Sequence, residues 1–70
     1  MPMYRYVHNK DGRTGQSENG SWYAIKLALG EKEASDLVDR SRHTSWHYEK
    51  NEMKSELMVD EERVGTFYKE

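Results

Sequence analysis

His43 and His47 stand four residues apart, the spacing at which two imidazoles share one helical turn and can hold a metal ion between them. Their surroundings argue against that use. A helix read upstream ends near Arg42, Thr44-Ser45-Trp46 favours extended backbone, and no third ligand lies close in sequence, so the two rings are expected to point apart. His43 has a simpler role beside a helix C-terminus, where positive charge complements the helix dipole. Gly12-Arg13-Thr14-Gly15-Gln16-Ser17 has the glycines of a phosphate-cradling loop. It lacks both the Gly-Lys-Ser/Thr ending and an apolar strand running straight into it, and reads as a solvated loop. There is no cysteine, which removes thiolate nucleophiles, thiolate zinc sites and disulfides together. Thirteen carboxylates are present, but none sits in an apolar stretch that would lift its pKa toward acid–base work. No catalytic residue, cofactor or metal is therefore predicted, and the chain reads as non-enzymatic.

The aromatic residues carry more information. Tyr4 with Tyr6, and Trp46 with Tyr48, form two aromatic-x-aromatic pairs with Arg5, His8 and His47 interleaved. On neighbouring strands each pair would share a face and together make a patch. Such a patch could be a protein-binding hot spot, where Trp, Tyr and Arg dominate. It could instead stack the bases of a single nucleic-acid strand, each contributing about 1 to 3 kcal/mol, with Arg5, Lys10 and Arg13 on phosphates. The plainer alternative places these rings in the core, and it is favoured for Trp22 and Trp46. Asp60-Glu61-Glu62, together with Glu49, Glu52 and Glu56, reads first as a solvated rim and second as an acidic surface for a basic partner. The partner-binding candidates are thus Tyr4, Arg5, Tyr6, Trp46, Tyr48, Asp60, Glu61 and Glu62.

Elements must hold these residues. Met3 to His8 alternates as a strand does, and residues 9–20 have no apolar residue, three glycines and two asparagines, a loop composition. Ser21 to Leu29 is ambiguous. As a strand it sets Tyr23, Ile25, Leu27 and Leu29 on one face; as a helix it would run past Gly30 with Tyr23, Leu27, Ala34 and Leu37 aligned. A mid-helix glycine costs about 1 kcal/mol, so the strand is preferred. Gly30 can cap a helix over residues 31–42 whose inward stripe is Ala34, Leu37, Val38 and Ser41. Residues 45–49 alternate, 50–52 read as a turn, and 54–69 form a hairpin across Asp60-Glu61-Glu62-Arg63 through a four-residue type I connection. A second helix over 49–60 is the competing reading. The expected fold is α+β: an antiparallel sheet of four to five short strands, in the order β-β-α-β-β-β, with one helix on one face.

Seventy residues make one small domain with a thin core, since Leu, Ile, Val and Phe number only ten. A burial-against-entropy balance for such a chain comes out near zero, which favours self-association as a homodimer or stabilisation by a partner. The net charge of −2 lacks the basic stripe of a duplex nucleic-acid binder, and the last 28 residues carry −3 of charge. With neither a membrane-length apolar run nor a signal-like start, a soluble cytoplasmic location is expected. The expected function is a small protein-binding module; the alternative is a single-stranded nucleic-acid binder. In size, lack of cysteine and lack of catalytic signal the chain is similar to small accessory or inhibitory proteins of bacteriophages and other mobile elements, including those that block host defence. No motif carries that likeness.

Overall fold

The computed structural model describes residues 3–43, 45–49 and 52–70. Along the chain run β1 (Tyr4–His8), β2 (Thr14–Ser17), α1 (Ser21–Leu29), α2 (Glu31–Arg40), β3 (Arg42–His43), β4 (His47–Glu49), β5 (Glu52–Val59) and β6 (Glu62–Lys69). The strands form one antiparallel sheet in the order β2-β1-β6-β5-β3, with β4 also on β5. β3 and β4 share one side of β5: His43 stands opposite Leu57 and His47 opposite Lys54. The class is the expected α+β arrangement, with two helices and six strands described where one helix and four to five strands were expected.

The second helix is the segment 21–29, and its strand-like alternation misled because Tyr23 and Leu27 are apolar yet exposed. The stripe that packs is Ala24, Ile25 and Leu29, with Ala28 behind it. Gly30 separates the helices rather than sitting inside one. Its φ of 93° suits glycine, its N–H closes α1 on the Lys26 carbonyl at 2.8 Å, and its own carbonyl accepts the Ala34 N–H at 2.9 Å. In α2 only Ala34 and Leu37 are buried; Val38 is exposed, and Arg42 belongs to β3 rather than to the helix.

Residues 9–20 are not an unstructured connection either, since β2 lies among them. The turn closes with His8 N–H on the Arg13 carbonyl and Gly12 N–H on the His8 carbonyl, both at 2.8 Å. β2 has no apolar residue because helix backbone sits directly on its inner face. A Cβ on Gly15 would meet the Ala24 carbonyl and, at 2.6 Å, the Ala28 nitrogen. At the other hairpin Asp60 and Glu61 both have positive φ, 51° and 66°. That is a two-residue primed turn, whose twist matches paired strands, in place of the expected four-residue loop. Among the described residues of 49–60 there is no helix, because β4 ends at Glu49 and β5 fills Glu52–Val59. Of the expected 50–52 turn, Lys50 and Asn51 lie outside the described residues, and Glu52 starts β5.

The core is Tyr6, Ala24, Ile25, Leu29, Ala34, Leu37, Leu57 and Phe67. Tyr6 spans it: the ring packs 4.8 Å from Phe67 and lies on Gly65, which has no side chain to displace it. No helix among the described residues is long and apolar enough to cross a membrane.

Candidate functional site

Strand register sorts the side chains onto two faces. Gly15, Tyr6, Phe67 and Ser55 form one cross-strand row beneath the helices. Two residues along each strand, the next row on the same face is Ser17, Tyr4, Lys69, Met53 and Tyr48. Trp46 closes this row from above, its ring 6.4 Å from that of Tyr4 in an edge-on arrangement. The Lys69 ammonium lies 5.7 Å from the Tyr4 ring. The result is an aromatic shelf of Tyr4, Trp46 and Tyr48, on which Trp46 is 37% and Tyr48 69% exposed.

The eight sequence candidates therefore separate. Tyr4, Trp46 and Tyr48 come together on the shelf. Tyr6 does not join them: it is fully buried, and its hydroxyl pairs with His8 Nδ1 at 2.8 Å. Burial, followed by the nearby Asp11 charge, pushes the Tyr6 phenol up to about 12. Arg5 is on the opposite face, opposite Gln16 and Tyr68, with its guanidinium 4.6 Å from the centre of the Tyr68 ring and 3.7 Å from Glu70. Asp60, Glu61 and Glu62 sit at the β5–β6 turn, the far end of the hairpin from Lys69. Seven residues of strand separate Glu62 from Lys69, roughly 23 Å, so the shelf and the acidic turn are different surfaces.

The acidic turn borders its own cleft, of about 820 Å³, between Arg40, Arg42 and His43 on one side and Asp60 and Glu61 on the other, with Met58 between. His43 faces the helix side, edge-on to Phe67 at 5.0 Å, whereas His47 shares the other face with Lys54, Tyr68 and Arg5, so the two rings have no common site. Among the described residues no group of three His, Asp or Glu could hold a metal ion. Arg13, expected as a phosphate contact, is bound instead to Asp11 at 2.8 Å and Glu33 at 3.0 Å, which ties the β1–β2 turn to α2.

Sequence reasoning missed one surface. Trp22, expected in the core as Trp46 was, is 37% exposed on α1, just as Trp46 is 37% exposed on the shelf, with Tyr23 at 47% and Leu27 at 67%. The Lys26 ammonium lies within 6 Å of the Trp22 and Tyr23 rings, at 5.9 and 5.5 Å. Once α1 is a helix, the signal was present in its i, i+4 spacing: Tyr23 and Leu27 fall opposite Ile25 and Leu29. Compared with known proteins, the chain matches no family model, no curated protein and no solved structure.

Proposed function

We propose that this protein is a small non-enzymatic binding module whose contact surface for another protein is the aromatic shelf of Tyr4, Trp46 and Tyr48 with Lys69. The observation that carries the reading is the exposure of Tyr48 and Trp46 in a chain with so few apolar residues. Aromatic side chains gathered at one end of a sheet, two of them exposed and with one cation among them, have the usual composition of a binding hot spot. The finer reading is an accessory protein of a bacteriophage or other mobile element that occupies a binding surface of a host protein in the cytoplasm.

The test is affinity capture from the native host, identified by mass spectrometry, with the wild type beside Trp46→Ala and Tyr48→Ala. Both changes remove exposed rings, so folding is expected to survive them. Stoichiometric capture of one or a few proteins, lost in both variants, supports the reading; equal capture by all three overturns it. Oligonucleotide titration covers the alternative. Quenching of Trp fluorescence that weakens steeply with salt would assign the shelf to a single nucleic-acid strand instead.

A further inference from the structure

The chain has three asparagines, and only Asn19 precedes a glycine. Asn19-Gly20 belongs to the three-residue link, 18–20, that carries the chain from β2 into α1. An asparagine can close a five-membered ring when the next backbone nitrogen reaches its side-chain carbon. A side chain on the next residue obstructs that approach, and glycine has none. In a folded protein the closure is further blocked when hydrogen bonds hold the next N–H or the side-chain amide.

Neither bond is present at Asn19. The residue is exposed, its own N–H donates to the Ser17 hydroxyl at 3.0 Å, and its side-chain amide makes no hydrogen bond. The Gly20 carbonyl accepts the Ala24 N–H at 3.2 Å, while the Gly20 N–H has no acceptor. Nothing lies within 4 Å of where a Cβ on Gly20 would stand, so the ring has room. Asn9 is the contrast. Its side-chain amide donates to the Arg63 carbonyl at 3.3 Å, and Lys10 follows it. Asn51 lies outside the described residues.

We propose that Asn19 is a self-modifying site, converting without an enzyme from an amide to an acid. The Gly20 backbone nitrogen, after losing its proton, attacks Cγ of Asn19. The N–Cγ bond forms, the Cγ–Nδ2 bond breaks, and the amide group leaves as ammonia with the proton that Gly20 gave up. The cyclic imide then adds one solvent water. Opening at Cγ gives aspartate; opening at the Asn19 backbone carbonyl gives isoaspartate, whose backbone is one methylene longer. Either product adds one negative charge to a chain of net −2. The charge appears one residue before the N-cap of α1, whose first turn holds no acid and whose cap makes no side-chain hydrogen bond. The orphan N–H groups of that turn carry partial positive charge, which complements the new carboxylate. The converted fraction grows with time and so records the age of the molecule. This chemistry does not depend on what the aromatic shelf binds.

The test incubates the wild type, Asn19→Gln and a synthetic peptide of residues 14–26 side by side at physiological temperature and mildly alkaline pH. Trypsin cuts after Arg13 and Lys26, leaving residue 19 in one fragment, and chromatography with mass spectrometry separates its amide, aspartyl and isoaspartyl forms. The folded protein should convert at Asn19 within about tenfold of the peptide's rate, since closure needs no local unfolding. The rate should rise with pH, because the attacking nitrogen must lose its proton, and Asn9 should stay unchanged. Asn19→Gln, which would need a larger ring, should gain no charge at that position. Conversion in the folded protein slower than that tenfold margin overturns the proposal, and so does an equal gain of charge by Asn19→Gln. Asn19→Asp carries the charge from the start and should melt no lower than the wild type at low salt. A lower melting temperature overturns the placement of the acid at a complementary helix end.

Discussion

At the scale of single residues, two positions trade stability for geometry. Glu61 holds φ at 66°, a conformation that costs an ordinary L-residue about 1 kcal/mol and glycine almost nothing. Glu61→Gly, which creates the Asp-Gly pair favoured in this turn, should raise stability by roughly 0.5 to 1 kcal/mol in a urea titration. Tyr6 makes the opposite case, a polar atom inside the core. Its phenol ionises at about 12 in the folded protein, above the value of 10.0 it has when exposed. The folded state thus keeps a proton that the unfolded state releases first, so the contribution is complete below pH 10 and is lost as pH rises toward 12. Stability measured from pH 9 to 12 should fall over that window, and Tyr6→Phe should flatten the fall while costing about 1 kcal/mol at neutral pH through the lost His8 hydrogen bond.

At the scale of elements, β2 and α1 depend on each other. Gly15→Ala would drive a methyl group into the Ala24 carbonyl and the Ala28 nitrogen, both backbone atoms that cannot swing aside. A loss of about 1 to 3 kcal/mol is expected by thermal or chemical denaturation, large for a domain of this size. The same contact explains which elements could be read from sequence. β1, α2 and the β5–β6 hairpin show their periodicity because each buries side chains on one face, as Tyr6, Leu37 and Phe67 do. β2 shows none, because what it offers to α1 is the absence of a side chain. α1 was misread for the converse reason: its apolar residues lie on both sides, with Ile25 and Leu29 inside and Tyr23 and Leu27 outside. The shelf was legible as two aromatic pairs. The removal of Tyr6 to the core was not, since Tyr4 and Tyr6 share a face and only the placement of the helices decides which of the two rows is covered.

At the scale of the whole molecule, the core among the described residues is eight residues that include two alanines, and large side chains remain outside on both the shelf and α1. Association through either surface should therefore raise the melting temperature with concentration of the occupant, by mass action on the folded state. The strand order has one more result. β1 and β6 are neighbours in the sheet although they lie at opposite ends of the sequence, and Met3 and Glu70 exchange backbone hydrogen bonds at 3.2 and 2.9 Å. Chain ends held this close can be joined by a short glycine–serine linker and new ends opened at the Asp60-Glu61 turn, giving a circular permutant that keeps every strand pairing. Because β6 is the strand that bridges the β1–β2 and β5 halves, the native order requires the last strand to arrive before the sheet can close, a non-local step that slows folding. In the permutant β6 would lead directly into β1. That pairing becomes local, but the longer β5–β6 hairpin becomes the pairing of the first strand with the last, so slower refolding with unchanged spectroscopic end points is the expected signature in stopped-flow experiments.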